Sequence, residues 1–197
     1  MKKIFIACAI VIAGLILIAS GCASGSNDEP ALLTIGDREI GRIEANYFIF
    51  SSAHMMRSLL PHIGWNDYID DIAVSDYIKT EALNAMRLYY AIHVKAAELS
   101  AGLTSEQQQE LEDVWNERVS HYGSEEAFRA YLESEGITAE LFMYVVESFL
   151  LRSNLYELHP GVDFEALTES WRDEVPYRLG AEWEKIDVQE LYENYRA

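Results

Sequence analysis

The sequence predicts a mainly α-helical fold with a small β element, and three observations support this prediction. Half of the 197 residues are apolar and only four are proline, so the chain can bury a core and form long helices. Apolar residues recur at three- and four-residue steps through most of residues 41–158. Short extended segments stand before and after this stretch, at 32–40 and 175–179, where a small sheet can join them.

The acidic composition excludes one large class of function. The chain has 15 basic and 33 acidic side chains and a formal net charge of −18. A nucleic-acid-binding protein needs Lys and Arg to neutralise phosphates, so we expect no nucleic-acid partner. With 50% apolar and 24% charged residues, wholesale disorder is excluded as well.

The first 21 residues have the pattern of a lipoprotein signal peptide. Two lysines precede an uncharged apolar run over residues 4–18, and three small residues stand directly before Cys22. The run is shorter than the roughly 20 residues of a spanning helix, which favours a cleaved signal over an uncleaved anchor. The Ala-Ser-Gly-Cys segment resembles the bacterial lipobox, except that Ala19 stands where Leu is commonest. This resemblance implies cleavage before Cys22 and attachment of lipid to its thiol.

Removal of this signal changes the thiol count and the charge. Cys8 is lost with it, so Cys22 is the sole remaining thiol and no internal disulfide can form. Loss of the two lysines leaves 13 basic and 33 acidic side chains, a net charge of −20 for residues 22–197. We expect an exported protein at the outer face of the bacterial cytoplasmic membrane, with residues 22–31 as a flexible tether and residues 32–197 as a single domain.

Turn and capping residues divide most of this domain into a hairpin and five helices. Gly36-Asp37 forms the turn of the hairpin, and Pro61 ends the first helix. Thr104, followed by Gln three residues later, has the spacing of a capping box, and Ser124 and Thr138 stand before the fourth and fifth helices. The predicted elements are a hairpin at 32–40, a connector at 61–71, and helices from Gly41 to about Leu60, from about Ala73 to Gly102, from Thr104 to Tyr122, around Phe128–Leu132 and from Thr138 to near His159.

The closing segment, residues 159–197, combines helix and strand signals. We predict a helix, then an edge strand at 175–179, then a short helix that Asp187 caps. Pro176 places the strand at an edge, because proline cannot donate a hydrogen bond to a neighbouring strand. The N-terminal hairpin is the natural partner of this strand, so the two ends of the domain are predicted to meet.

No residue pattern predicts a catalytic or metal site. The five histidines lack a partner at three- or four-residue spacing, and no thiolate pair remains after removal of the signal. Asp67, Asp70 and Asp71 form the densest acidic cluster, but they lack the alternating ligands and central glycine of a calcium loop. No nucleophile elbow, phosphate-binding glycine loop or dinucleotide fingerprint occurs. We therefore expect no catalytic residues, no metal and no cofactor.

Aromatic and Met residues are concentrated in the first two predicted helices and the connector between them. The simplest interpretation is a buried core. The stripe from Tyr47 to Met56 is wider than one helix contact requires, however, and Met with aromatic residues forms adaptable surfaces for apolar ligands. Part of the stripe is therefore predicted to face a groove that binds polypeptide. The candidate binding residues are Tyr47, Phe48, Met55, Met56, Trp65, Tyr68, Tyr89 and Tyr90.

Several segments, taken in order, follow a known pattern over roughly residues 32–158. After the lipobox and tether come a Thr-Ile-Gly-Asp-Arg-Glu-Ile turn, a long second helix ending in Leu-Ser-Ala-Gly-Leu-Thr-Ser-Glu, and then Tyr-Gly-Ser-Glu-Glu-Ala-Phe-Arg-Ala-Tyr-Leu and Gly-Ile-Thr-Ala-Glu-Leu-Phe. This order resembles the SurA/PrsA-type extracytoplasmic foldases. The turn in that family usually has the sequence Val-Asn-Gly-Glu-x-Ile, and here Gly36 and Asp37 depart from it in their order.

The resemblance implies a helical chaperone domain, like the N-terminal domain of SurA, that cradles unfolded, apolar segments of secreted proteins. Family members often carry a parvulin prolyl-isomerase module of on the order of 90 residues. Residues 159–197 are too few to hold it and lack its paired histidines, so isomerase activity is the least expected function. The leading hypothesis is a lipid-anchored, non-enzymatic chaperone of unfolded or secreted polypeptides. The alternative is an adaptor or assembly lipoprotein that binds one dedicated protein partner.

Overall fold

Seven helices and five short strands make up residues 31–196, the part of the chain that this computed structural model describes. The predicted signal peptide, Cys22 and residues 22–30 of the predicted tether lie outside the described residues. The helices are α1 (Arg42–Leu59), α2 (Val74–Glu98), α3 (Ser105–Tyr122), α4 (Glu125–Ser134), α5 (Ala139–Glu157), α6 (Phe164–Glu174) and α7 (Val188–Asn194). The strands are β1 (Leu33–Ile35), β2 (Arg38–Ile40), β3 (Tyr68–Ile69), β4 (Ile72–Ala73) and β5 (Tyr177–Leu179). The predicted mainly helical fold with a small β element is confirmed.

A three-stranded antiparallel sheet in the order β2-β1-β5 joins the two ends of the described chain. Leu33 pairs with Ile40 on one side and with Leu179 on the other. Leu33, Ile35 and Ile40 are buried, which anchors the sheet to the helical core. The predicted pairing of the closing strand with the N-terminal hairpin is confirmed, and β5 lies at the sheet edge, as the neighbouring proline indicates.

The turn of the hairpin sits directly against α2. Gly36 has a φ of +60°, and a methyl group at this position would overlap the ring of Tyr90. The Tyr90 hydroxyl donates a hydrogen bond of 2.8 Å to Asp37 Oδ1. A residue without a side chain is needed here because both the backbone conformation and the close ring exclude a Cβ atom.

Helix α2 is the central element of the helical body. It packs against α1, α5 and α6, and it also contacts α7 and the hairpin. Its buried side chains therefore extend along its whole length. The helix ends at Glu98, and Ser100 adopts a left-handed φ of 55°, so the chain leaves the helix before the predicted stop at Gly102. The most buried apolar residues of α2 are Val74, Ile78, Ala82, Met86, Ala91, Ile92 and Ala96.

Helices α3, α4 and α5 begin at the predicted capping residues. Thr104 forms a complete capping box with Gln107, while the Ser124 and Thr138 hydroxyls accept hydrogen bonds from the first turns of α4 and α5. No residue of α3 is fully buried, and the helix packs against α4 and α5. Contacts such as that of the Trp115 ring with Phe128, 5.1 Å between centroids, attach this polar helix to the body.

A two-stranded ribbon that the sequence pattern did not indicate begins in the predicted connector and ends just beyond it, at the predicted start of the second helix. Strands β3 and β4 are two residues long each and pair through Ile69 and Ile72. Asp70 and Asp71 form the turn between them with φ values of 49° and 67°. Asp residues tolerate this left-handed conformation well, which gives the acidic cluster a structural reason. Strands this short show no alternation of apolar and polar residues, so the sequence indicated only a connector with an acidic cluster.

Candidate functional site

The structure separates the eight candidate binding residues instead of collecting them on one surface. Phe48 and Met56 are 4% and 6% exposed and belong to the core, so the prediction that they contact a bound polypeptide is corrected. Tyr90 is held against the hairpin turn by its bond to Asp37. The remaining five do not share one surface. Tyr47 and Tyr89 belong to an aromatic cluster that reaches α5, and Trp65 contacts Tyr192 of α7. Met55 and Tyr68 are exposed on α1 and β3.

Tyr47 and Tyr89 form the edge of an aromatic cluster between α1, α2 and α5. The Tyr47 ring contacts Phe48 edge-on at 5.5 Å, and Phe48 lies 5.6 Å from Tyr89. Tyr89 in turn contacts Phe149 of α5 edge-on at 6.2 Å. Burial raises the pKa of both tyrosines, and the neighbouring Tyr47 adds to the rise at Tyr89. Both hydroxyls therefore stay neutral at physiological pH.

A concave surface of about 400 Å³ lies beside this cluster, between α5 and α6. We name it the α5–α6 groove. Phe149 and Tyr156 are each 60% exposed there, although aromatic rings of this size are usually buried. The groove is lined by Phe149, Arg152, Ser153, Tyr156, Phe164 and Glu165.

The aromatic rings of the groove are held in place from behind. Phe149 packs edge-on against Tyr89, and Tyr156 packs edge-on against Phe164 at 5.3 Å. Phe164 is 8% exposed and forms part of the core, so it supports Tyr156 firmly. Each exposed ring thus presents the rest of its surface to solvent from a fixed position. Such a surface is preorganised for a ligand, because few rotamers are lost when it is covered.

One ion pair crosses the middle of the groove. Arg152 Nη2 lies 2.6 Å from Glu165 Oε2, and its guanidinium carbon lies 5.8 Å from the centre of the Phe164 ring. Both side chains of the pair are partly exposed, so its contribution to stability is small. Arg152 of this pair lies between Phe149 and Tyr156 along α5. The groove therefore presents an apolar ring, then a charged pair, then a second apolar ring.

A second set of exposed apolar residues lies in the last turns of α1 and on strands β3 and β4, and we name the set the ribbon end: Met55, Leu59, Tyr68 and Ile72. Met55, Leu59 and Tyr68 are 61%, 73% and 69% exposed. Within residues 31–196, no aromatic stacking holds the Tyr68 ring. The side chains of the ribbon end project from the last turns of α1 and from strands of two residues each.

A polar cluster joins the hairpin, α1 and α5. Arg38 forms a two-pronged ion pair with Glu44, with N–O distances of 2.7 and 2.9 Å, and its guanidinium stacks 4.5 Å over the Tyr144 ring. Burial raises the pKa of Glu44, and Arg38 opposes that rise. Burial likewise raises the pKa of Tyr144. The cluster orients the hairpin on the helices.

A Ser–His pair next to this cluster was not foreseen from the sequence, because its members are 55 positions apart. His93 Nε2 lies 2.9 Å from Ser148 Oγ, and the His93 ring stacks on Tyr144 at 4.3 Å. Ser148 is 1% exposed and its hydroxyl donates to the Tyr144 carbonyl of its own helix. Burial lowers the pKa of His93 to about 4. A serine whose proton is already donated and whose oxygen is shielded from solvent serves to join α2 to α5, not to attack a substrate.

The groove residues Phe149, Tyr156 and Phe164 were not among the candidates drawn from the sequence. Phe149 and Tyr156 are seven residues apart on α5, a spacing that places both on one face of a helix. This signal was present, but α5 is apolar on several faces, and the sequence does not show which face meets α2. In residues 31–196, no group of His, Cys, Asp and Glu side chains is arranged to hold a metal ion, and none of the helices has the length and apolarity to cross a bilayer.

Comparisons with known proteins found no matching family model, no matching curated protein and no matching solved structure. Membership of the foldase family therefore stays a prediction from the sequence.

Proposed function

We propose that this protein binds extended, apolar segments of other polypeptides in the α5–α6 groove, as a chaperone of exported proteins without catalysis of its own. The observation that supports this most is the pair of exposed, supported aromatic rings, Phe149 and Tyr156. A fixed aromatic surface in contact with water is characteristic of interaction sites. The resemblance of the sequence to extracytoplasmic foldases points to the same class.

The spacing of the two rings suits an extended chain. Residues seven apart on a helix are separated by about 10.5 Å along its axis. Three residues of an extended chain in the polyproline II conformation span about 9.3 Å and complete one turn, so side chains three positions apart lie on the same face. A bound segment in this conformation places apolar side chains three positions apart over Phe149 and Tyr156, with backbone or polar groups near Arg152 between them.

The area available favours weak, reversible binding. Each Phe or Tyr side chain offers roughly 200 Å² of surface, so covering the exposed part of both rings contributes about 6 kcal/mol at roughly 25 cal/mol per Å². Association costs about 4–15 kcal/mol in lost freedom. Two rings alone therefore do not hold a ligand tightly, and a client must add further contacts or dissociate quickly. Quick release is what a chaperone of many clients requires.

The net charge of the chain supports a preference among clients. With 33 acidic against 15 basic side chains, the protein attracts cationic segments and repels acidic ones over a distance of about 10 Å at 0.1 M salt. The same charge keeps a protein with exposed aromatic rings from associating with itself. We expect clients that combine apolar with basic residues to be held best.

An aggregation assay tests the proposal. Reduced lysozyme, a basic client, is allowed to aggregate with and without the protein, and light scattering is followed. We expect the wild type to suppress aggregation and the double variant Phe149→Ser/Tyr156→Ser to lose most of this effect. Met55→Ser/Leu59→Ser is the matched control, because it removes two exposed apolar side chains from the ribbon end.

The outcomes separate the site from the function. Equal protection by the two double variants would overturn the α5–α6 groove as the binding surface. No protection by the wild type, with its helical content verified by circular dichroism, would contradict the chaperone function and leave the adaptor alternative. A single stoichiometric partner in cross-linked membrane fractions would then identify that adaptor.

A further inference from the structure

A second cavity, of about 340 Å³, lies between α1, the connector and α7. It shares no lining residue with the α5–α6 groove and does not depend on the function proposed for that groove. Its composition is unusual for so acidic a protein, because two of its five lining residues are arginines. The lining residues are Arg57, Trp65, Tyr192, Glu193 and Arg196.

The two arginines of this cavity rest on one aromatic wall. The Arg57 guanidinium carbon lies 4.9 Å from the centre of the Trp65 ring, and that of Arg196 lies 5.6 Å from the centre of the Tyr192 ring. Trp65 and Tyr192 contact each other at 5.3 Å. Stacking of this kind occupies the flat face of a guanidinium and leaves N–H groups at its edge available to donate hydrogen bonds.

Neither arginine forms an ion pair with an Asp or Glu side chain of residues 31–196. Among residues 31–196, no Asp or Glu oxygen lies within ion-pair distance of Arg57 or Arg196, although acidic side chains outnumber basic ones by more than two to one in the chain. One N–H group of Arg57 donates a hydrogen bond of 3.0 Å to the Ile63 carbonyl oxygen. The Glu193 carboxylate beside them accepts a hydrogen bond of 2.8 Å from Gln189. The lining side chains, two arginines and one glutamate, therefore carry a net positive charge and N–H donors that no Asp or Glu of residues 31–196 pairs with.

We propose that this cavity binds a carboxylate carried on an apolar or aromatic group. A guanidinium edge matches the two oxygens of a carboxylate, and the Trp65–Tyr192 wall matches the attached apolar part. The negative charge of Glu193 repels a doubly charged anion such as phosphate more strongly than it repels a singly charged carboxylate. The volume suits one amino-acid residue. The shared chemistry fits both the C-terminal residue of a polypeptide and a free aromatic acid.

Binding of three small probes to the full chain tests this inference. N-acetylphenylalanine represents a polypeptide C-terminus, 3-phenylpropanoate a free aromatic acid, and N-acetylphenylalaninamide the same group without charge. Isothermal titration calorimetry measures the affinity of each probe. Quenching of Trp65 fluorescence locates the bound probe in this cavity, and the quenching should be absent in Trp65→Phe. We expect the carboxylates to bind at least tenfold more tightly than the amide, because charge-assisted hydrogen bonds are lost with the charge. Tighter binding of N-acetylphenylalanine than of 3-phenylpropanoate identifies a C-terminus as the ligand, and the reverse order identifies a free acid.

Variants at the two arginines locate the site. Arg57→Gln and Arg196→Gln are each expected to weaken carboxylate binding about tenfold, while Arg178→Gln, an exposed arginine on β5, changes it less than twofold. If Arg57→Gln unfolds because its hydrogen bond to Ile63 is lost, carboxylate binding by Arg196→Gln tests the inference, because Arg196 is exposed. Equal binding of acid and amide, no binding of any probe at about 10 mM, or equal effects of Arg178→Gln and Arg196→Gln would overturn the inference.

Discussion

The α5–α6 groove and the ribbon end both expose large apolar side chains, but they differ in what lies behind them. Phe149 and Tyr156 rest on Tyr89 and on the buried Phe164. Within residues 31–196, the exposed Tyr68 ring of the ribbon end has no aromatic partner, and the ribbon strands are only two residues long. The difference teaches that exposure alone does not indicate a binding site. A surface that already has its binding geometry loses less entropy when a ligand covers it.

The largest expected effect concerns two residues of α1 that lie seven positions apart, on one face of the helix, but in different environments. Phe48→Ala removes a core ring that is 4% exposed and is expected to cost about 3–5 kcal/mol of unfolding free energy. Met55→Ala, nearer the end of the helix and 61% exposed, is expected to change the unfolding free energy by less than about 0.5 kcal/mol. Urea unfolding followed by circular dichroism measures both. Similar losses for the two variants would mean that the ribbon end is packed as firmly as the core.

The division of α1 shows what could and could not be predicted from the sequence. The helix itself, its end near Pro61 and the caps at Thr104 and Thr138 were predictable, since these signals are local. The different burial of Phe48 and Tyr47 was not predictable. These adjacent residues lie on one wide apolar stripe, and their neighbours are decided only by the packing of α2 and α5. The stripe from Tyr47 to Met56 therefore has one part buried in the core and another part exposed to solvent.

The same limit applies to the candidate site. The apolar periodicity of α5 includes Phe149, yet this side chain is 60% exposed although α5 packs against α2. His93 and Ser148 meet only through the same packing. The sheet was easier, because the N-terminal hairpin held the only other strands that the sequence pattern indicated as partners for β5. Contacts set by the angle between two helices leave no local trace in the sequence.

A second prediction tests whether water is excluded from His93, which lies between α2 and α5. Burial holds the pKa of His93 at about 4, whereas a free histidine titrates near 6.5. The unfolded chain therefore binds more protons between these values, and stability falls as the pH drops from about 6.5 to about 4, by roughly 3 kcal/mol from this residue. Urea unfolding across this range should show a steeper loss for the wild type than for His93→Gln.

Subtraction of the two pH curves isolates His93 from the other groups around it. Arg38 also lowers the pKa of His93 and is present in both proteins. Glu44, whose pKa is raised by burial, acts in the opposite direction, since protonation favours its folded state as the pH falls, and it too is common to both curves. Parallel curves would mean that water reaches His93 and that the helices behind the groove are loosely packed.

A smaller effect is expected at the ion pair that crosses the groove. Glu165→Gln removes the partner of Arg152 and is expected to cost about 0.2–1 kcal/mol of stability, because both side chains are partly exposed. The difference should shrink in 1 M salt, where charges are screened within about 3 Å. Glu182→Gln is the matched control, since it breaks the exposed pair with Lys185 away from the groove. A loss above about 2 kcal/mol would show that the pair is structural and that the groove is less open than its exposed rings indicate.

The smallest expected effect distinguishes an apolar groove from a polar one. Tyr156→Phe keeps the ring and its edge-on contact with Phe164 and removes only a hydroxyl group. If clients are held by burial of aromatic surface, protection of reduced lysozyme should change less than about twofold. A tenfold loss would instead assign about 1.4 kcal/mol to one hydrogen bond from that hydroxyl, a strength typical of recognition of a specific partner. Because a chaperone of many clients cannot rely on one such bond, the outcome of this single-atom change separates the chaperone from the adaptor more sharply than removal of the whole ring.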